Sequence, residues 1–415
     1  MNAFRQCRVI AVVLLLAVPV FASVQAVDLG QKTIGSSISA ASGSGNPEAR
    51  AQSGKVIKVG RSERISTITE AATLASDGDI VEIMSGEYIA QPVVWNQTNL
   101  TIRGIGNRPV MLAGGTSAEG KGIWVIRNGN IQIENIEFRG ARVPDGNGAG
   151  IRFEKGHLTL QRCAFYDNEM GILTSNYEGA VLDIFDSEFG DAPRHFSGAL
   201  HHLLYVGAIS RFSMVGSRLG NGFRGHLVKS RARESHIAYN LLYDGPGGGA
   251  SYELEFPNGG VAFVIGNVIG QAATTDNSTL IAYGAEGARW QKNSLSLSHN
   301  TLINEMRSGQ FVDVWTRKLP PETEFVAVSN ILVGTGSVPE QLRWADGGNV
   351  TVALSGTVVR DSIPSRLPTG FLSQKIQSAR VISDKSLWPV AEFKFPVGTT
   401  PLSVEKRLLP GAFQN

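Results

Sequence analysis

The chain has 415 residues, of which 42% are hydrophobic and 18% charged, with 38 basic and 36 acidic side chains. A formal net charge of only +2 excludes a general electrostatic draw to nucleic acid or to membrane surfaces, so any attraction for a polyanion must be local. The apolar share suffices for a sizeable core, and the 48 glycines follow no collagen period.

At the start, Arg5 and Arg8 precede an apolar run from Val9 to Phe21, and Val24-Gln25-Ala26 has the small-x-small form of a cleavage site. This reads as a secretory signal over residues 1–26, too short in its apolar part to span a bilayer. No later segment is apolar enough to do so, and the expectation is an exported, secreted or periplasmic protein with no membrane span. Removal of the signal takes two arginines, no acid and Cys7, leaving 36 bases against 36 acids and Cys163 as the lone cysteine. Neither an intrachain disulfide nor a cysteine-based metal site is then available. Residues 27–54, rich in Ser, Gly and Ala without periodicity, read as a flexible leader.

Thr67 and Glu70 form a Thr-x-x-Glu capping box, which predicts a short helix through Ala75. Asp77-Gly78-Asp79 then turns the chain into an alternating strand, Ile80-Val81-Glu82-Ile83. From there a pattern of apolar-x-apolar-x-Asn recurs. It ends at Asn135, Asn267, Asn300 and Asn330, with degenerate copies at Gly104, Arg162, Asp186, Gly216 and Asn240. The intervals run from 24 to 33 residues with no helical period between them. Such a unit predicts a parallel β-solenoid over 55–335, in which each turn's apolar face is covered only by its neighbours. The Asn positions read as structural bends that tolerate left-handed geometry and bond the next turn. Residues 336–415 lose the pattern and carry seven prolines, which predicts an irregular tail over the open end of the solenoid.

Three features together resemble the right-handed parallel β-helix proteins of the pectate-lyase-like superfamily. They are the entry segment Asp77 to Ile83 with Gly86-Glu87-Tyr88, the Asn-marked turns, and the ending Pro410-Gly411-Ala412-Phe413. The resemblance covers roughly residues 55–335 and implies an all-β, single-domain right-handed parallel β-helix with an N-terminal helical cap and a C-terminal cap. Its implication for activity is looser, because this fold hosts many chemistries. The Asn-Thr-Asp, Asp-Asp and Gly-His-Gly set of polygalacturonases is absent, as is the Trp-x-Asp-His segment of typical pectate lyases.

Residues 192–233 contain no acidic side chain but carry Arg194, Arg211, Arg218, Arg224, Lys229, Arg231 and Arg233, with His195, His201, His202 and His226. A tract of one sign within a balanced chain predicts a site for an anionic partner. Alignment of the repeats puts Leu204, Val228 and Leu254 in one column and Tyr205, Lys229 and Glu255 in the next, on the opposite face. Lys229, Arg231, Glu253 and Glu255 are then expected on the solvent face.

The chemistry that fits is β-elimination on an acidic polysaccharide. The C5 proton of a uronate is weakly acidic, so a site must neutralise the carboxylate, supply a base and protonate the departing 4-oxygen. The lyases of the resembled superfamily use Arg or Ca²⁺ for the first task and Lys or Arg for the second. This implies Lys229 as base, Arg231 or Arg224 on the carboxylate, and His226 or Tyr205 as proton donor. Strict alternation would instead turn His226 inward with Val228. Arg211, Arg224, Arg233, Glu253 and Glu255 are the expected substrate contacts.

Other readings remain open: a uronan C5-epimerase, a non-catalytic carbohydrate-binding or envelope-matrix protein, and a hydrolase using Glu253 and Glu255, which at two residues apart lie about 7 Å from each other. An ordinary ion pair between Lys229 and Glu255 is the plainest alternative. Asp183, Asp186, Glu188 and Asp191 could bind Ca²⁺ if they shared a face. His201 and His202, being adjacent, should point to opposite faces, and Trp95, Trp124, Trp290 and Trp315 serve either as sugar platforms or as core. Gly220 to Gly225 matches G-x-G-x-x-G, but a strand rather than a helix follows, so it reads as a turn. A monomer is the default state.

Overall fold

A computed structural model describes residues 54–194, 200–353, 359–360, 363–364, 384–403 and 408–414. The signal segment, the leader apart from Gly54, and His195 lie outside the described residues. The described coils belong to the unit Arg50–Asn415.

Each circuit of the chain gives one strand to each of three parallel sheets, of eleven, eleven and nine strands in order of entry. The strands alternate as the sequence pattern requires. In Ile80–Met84, Val81 and Ile83 are fully buried while their neighbours are partly exposed. The in-facing column of the second sheet stacks like on like: Phe138, Phe165 and Phe189 lie in register at ring spacings of 5.1 and 4.7 Å, with ring planes nearly parallel. Trp124 meets Phe138 edge-on at 4.9 Å, and Trp95 meets Trp124 at 5.3 Å. Each such pair adds about 0.5–1.5 kcal/mol beyond its buried area. Trp95 and Trp124 are therefore core and not sugar platforms.

At the turn from the first sheet to the second, Asn135 both takes left-handed geometry and bonds the adjacent coil, its Nδ2 donating to Gly104 O at 3.0 Å, whereas from Asn240 onward the repeat divides this work between two residues. Left-handed geometry falls on Asn135, Arg162, Asp186, Gly216, Tyr239, Gly266, His299 and Ser329. Asn240, Asn267, Asn300 and Asn330 come one residue later and face inward, fully buried. The sequence alignment had merged these two columns; the structure separates them by one position. The inward amides form a ladder. Asn267 Nδ2 donates to Ile237 O at 2.8 Å, and its Oδ1 accepts from the backbone and side chain of Asn240 at 2.9 and 3.0 Å. The same contact continues through Asn300 and Asn330 to Asn349. Cys163, Ser187 and Ser217 carry it upstream. Burial in this column pushes the free Cys163 thiol up to about 11.

The ends are closed as expected, with one addition. Thr67 caps the helix Ile68–Leu74 by accepting from Glu70 N, and the helix packs on Val56–Val59 and Val93–Trp95, the edge strands of the first and third sheets. At the far end, turns at Glu340–Leu342 and Trp344–Gly347 cover the strand Glu324–Val328, and Val350–Val352 adds a last strand to the second sheet. The described parts of 384–414 do something else: they run back along the outer wall. Gly411 N donates to Ser329 O, Val390 N to Tyr239 Oη and Gly398 N to Gly216 O. The tail thus braces the left-handed corner over several coils instead of only plugging the end.

Candidate functional site

On the outer face of the third sheet, adjacent strands put Leu173, Tyr205, Lys229, Glu255, Ala282 and Asp313 in one row. Strand spacing of about 5 Å brings neighbouring side chains into contact. Lys229 Nζ lies 3.1 Å from Glu255 Oε2, and 5.9 Å from the centre of the Tyr205 ring. Arg231, two residues along the same face, donates from Nε to Tyr205 Oη at 2.9 Å.

The corner that precedes this sheet departs from simple alternation. The amides of Leu203 and Leu204 both donate to the next coil, at His226 O and Leu227 O; those of Leu227 and Val228 do likewise, at Tyr252 O and Glu253 O. In a regular strand, alternate amides point to opposite neighbours, so two consecutive amides aimed the same way mark a bulge. Two successive residues therefore face inward: Leu203 with Leu204, Leu227 with Val228, and Glu253 with Leu254, all buried.

This one feature resolves His226 and overturns the placement of Glu253. His226 turns outward, with Nε2 3.0 Å from Glu255 Oε2. Its Nδ1 accepts from Tyr252 N at 3.3 Å, so the proton of the neutral ring sits on Nε2, facing Glu255. One coil back, His202 Nδ1 accepts from His226 N at 2.9 Å, and the rings of His202, His226 and Tyr252 meet at a tilt of 51° with centres 4.6 and 4.9 Å apart. Burial lowers the pKa of both histidines, His202 further, so both are neutral at pH 7. His201 points elsewhere, with Nδ1 3.1 Å from Pro193 O.

Glu253, by contrast, occupies the interior column behind Leu203 and Leu227. It is 0% exposed and neither carboxyl oxygen has a hydrogen-bond partner. Burial, with Asp244 nearby, raises its pKa well above 4.5, and it is a neutral acid. It cannot touch substrate, and the hydrolase pairing of Glu253 with Glu255 is lost with it.

Three arginines also fall away from the cluster. Arg211 is on the first sheet, paired with Asp183 at 3.0 Å. Arg233 reaches Ser210 Oγ at 2.7 Å. Arg224 lines a cavity of about 570 Å³ with Arg194, Phe223, Gly247 and Thr274, in which Lys229 has no part. The four acids considered for Ca²⁺ are likewise dispersed. Asp183 pairs with Arg211 and His157, Glu188 with Arg218 and Arg108, and Asp191 accepts from Asn221. Among the described residues no three His, Cys, Asp or Glu side chains are grouped to hold a metal ion.

The sequence reading missed Glu286 and Asn258. Glu286 stands in the turn after the strand Thr279–Tyr283, outside the strand periodicity that revealed its neighbours. It accepts from Arg231 Nη1 and Nη2 at 2.6 and 2.8 Å and from Lys229 Nζ at 3.3 Å. Asn258 Oδ1 accepts from Arg231 Nη1. Desolvation works against the Arg231 charge, but Glu286 and Tyr205 outweigh it and raise its pKa. Arg231 lowers that of Glu286. Burial would raise Glu255, but His226 and Lys229 prevail and lower it. The cluster holds two cations and two carboxylates, with neutral His226 beneath them.

No protein-family model matches the chain, and neither does any curated protein. Among solved structures, the crystal structure of pectate lyase Pel9A superimposes with a TM-score of 0.50, over 87% of this chain and 96% of that one, at 12% identity. The chain thus has the pectate-lyase-like right-handed β-helix fold. At that identity the likeness extends to the fold alone, and among the described residues no helix is long and apolar enough to cross a membrane.

Proposed function

We propose that this is an exported protein that cleaves an acidic, uronate-bearing polysaccharide by β-elimination. The observation that supports it is the convergence of Lys229, Arg231 and Tyr205 on one outward patch, linked by the 2.9 Å bond from Arg231 to Tyr205. Export rests on the basic, apolar and small-x-small order of residues 1–26.

In this reading Arg231 offers its planar fork to the uronate carboxylate, where charge accumulates as the C5 proton leaves. Lys229, cationic at rest, must first release its own proton to solvent, and as the free amine it then takes the C5 proton. The C5–H electron pair forms the C4–C5 double bond, the C4–oxygen bond breaks, and the Tyr205 hydroxyl protonates the departing oxygen. His226 acts through Glu255 and not on substrate, since its Nε2 faces that carboxylate.

A second reading, binding without chemistry, draws on the contact of Lys229 with two carboxylates, an arrangement common in plain ion pairs. A C5-epimerase would begin with the same proton removal. The test is incubation with alginate, pectate, glucuronan and glycosaminoglycans, with and without Ca²⁺. Rising ultraviolet absorbance from an unsaturated uronate, lost in Lys229→Ala, is the expected result. Binding with no new chain ends would favour the non-catalytic reading, and inverted C5 without cleavage the epimerase. Undiminished elimination by Lys229→Ala would remove Lys229 as the base.

A further inference from the structure

The carboxylate of Glu286 is held as a substrate carboxylate would be. Two parallel hydrogen bonds from the Arg231 fork and one from Lys229 converge on its two oxygens. We propose that Glu286 marks the carboxylate subsite of this outward patch and is a built-in occupant that an incoming uronate must displace. This rests on the reading of Lys229 and Arg231 as an acidic-sugar site, and it names the recognised group: one carboxylate per bound sugar.

Three observations carry it. First, Glu286 is the outermost member of the cluster. Its side chain is 44% exposed, against 12% for Lys229 and 18% for Arg231. Only the Glu286 end of these pairs is open to water, so it is the member that can leave while Lys229 and Arg231 stay in place.

Second, neither partner needs Glu286 for its position. Arg231 is also fixed by Tyr205 Oη and Asn258 Oδ1, and Lys229 by Glu255. The turn that carries Glu286 is held by its backbone: Glu286 N donates to Pro257 O at 2.8 Å, Arg289 N to Asn258 O at 3.0 Å, and Asn258 Nδ2 to Gly287 O at 3.2 Å. Only the side chain has to swing.

Third, the charges match. With Glu286 in place, Lys229 and Arg231 are balanced by Glu255 and Glu286. When Glu286 leaves, one positive charge is unmatched, which is what a single uronate carboxylate neutralises.

An internal occupant lowers apparent affinity by the fraction of time it fills the subsite. The experiment compares the full-length wild type with Glu286→Gln by calorimetric titration against polygalacturonate, alginate and glucuronan, with thermal unfolding recorded for both. The expected result is opposed changes: a lower melting temperature, because two cations lose a partner, together with binding to at least one polymer that is tighter by about tenfold. A purely structural ion pair would lower the melting temperature and leave binding unchanged or weaker. That outcome, with circular dichroism unaltered, overturns the proposal, as does failure of both proteins to bind any of the three. Elimination is followed in parallel. Cleavage without a gain in binding would end the displacement proposal alone, whereas a gain in binding without cleavage by either protein would keep it and end the lyase reading.

Discussion

Lys229 and Glu255 occupy matching positions on adjacent strands, and their charged ends meet at 3.1 Å where Glu255 is only 4% exposed. A pair this deep costs much when broken and little when removed whole, because the expensive species is a buried charge without a partner. Glu255→Leu should therefore lower stability by about 3–5 kcal/mol, while combining it with Lys229→Met should recover most of that loss. Denaturant unfolding of the two singles and the double measures the coupling. Additive losses would mean that the two charges do not depend on each other.

The interior acid Glu253 makes a prediction of opposite sign. Its column neighbours Leu203, Leu227 and Leu280 are apolar and fully packed. Glu253→Leu should stabilise the chain at pH 7 by about 1–3 kcal/mol. The sign with pH follows from proton counting. Burial raises the folded pKa well above 4.5, so above that value the unfolded chain gives up a proton that the folded chain keeps. Stability then falls as pH rises from about 4.5 toward the folded pKa. This component should vanish in Glu253→Leu. Unfolding curves between pH 4 and 8 check it, and an unchanged slope in the variant would contradict the interior placement.

The row from Tyr205 through Lys229 to Glu255 was legible in the sequence because an apolar core enforces both alternation and register: a slip of one residue would bury the charges. The corner before it was not. Two consecutive inward residues look like a failure of alternation, and Leu227-Val228 gives no sign that a bulge follows His226. Glu253 was misplaced for the same reason, since its leucine column becomes visible only when the corner is aligned separately from the strand. Glu286 carried no signal at all. It lies in a turn, where length varies from coil to coil and the repeat no longer predicts who meets whom.

The separation of the two Asn roles can be tested directly. Asn135 has left-handed geometry, at φ 54°, and its partly exposed Nδ2 donates to Gly104 O and Gly106 O at 3.0 and 3.3 Å, so Asn135→Gly relieves the backbone but loses two half-exposed bonds and should cost only about 1 kcal/mol. Asn267 is a fully buried rung of the ladder. Asn267→Leu removes the donor to Ile237 O and the acceptor for Asn240, and leaves those groups buried without partners. A loss of about 3 kcal/mol or more is expected. Equal effects of the two substitutions, read by thermal unfolding, would mean that one column does both jobs.

Tyr205 separates binding from chemistry. Its hydroxyl accepts from Arg231 Nε, so its own proton is free to go elsewhere, and its ring packs beside Leu173 and Met170. Tyr205→Phe keeps that packing, and Arg231 keeps Asn258 and Glu286 as acceptors. The variant should fold and bind polyuronate as the wild type does. If the hydroxyl protonates the departing oxygen, the loss appears in kcat, by about 10²–10⁴, with KM little changed. Leaving groups that need no protonation should lose least, so a substrate with an acidic aryl leaving group at C4 ought to narrow the gap between variant and wild type. An equal loss on both substrates would assign Tyr205 to the positioning of Arg231 instead.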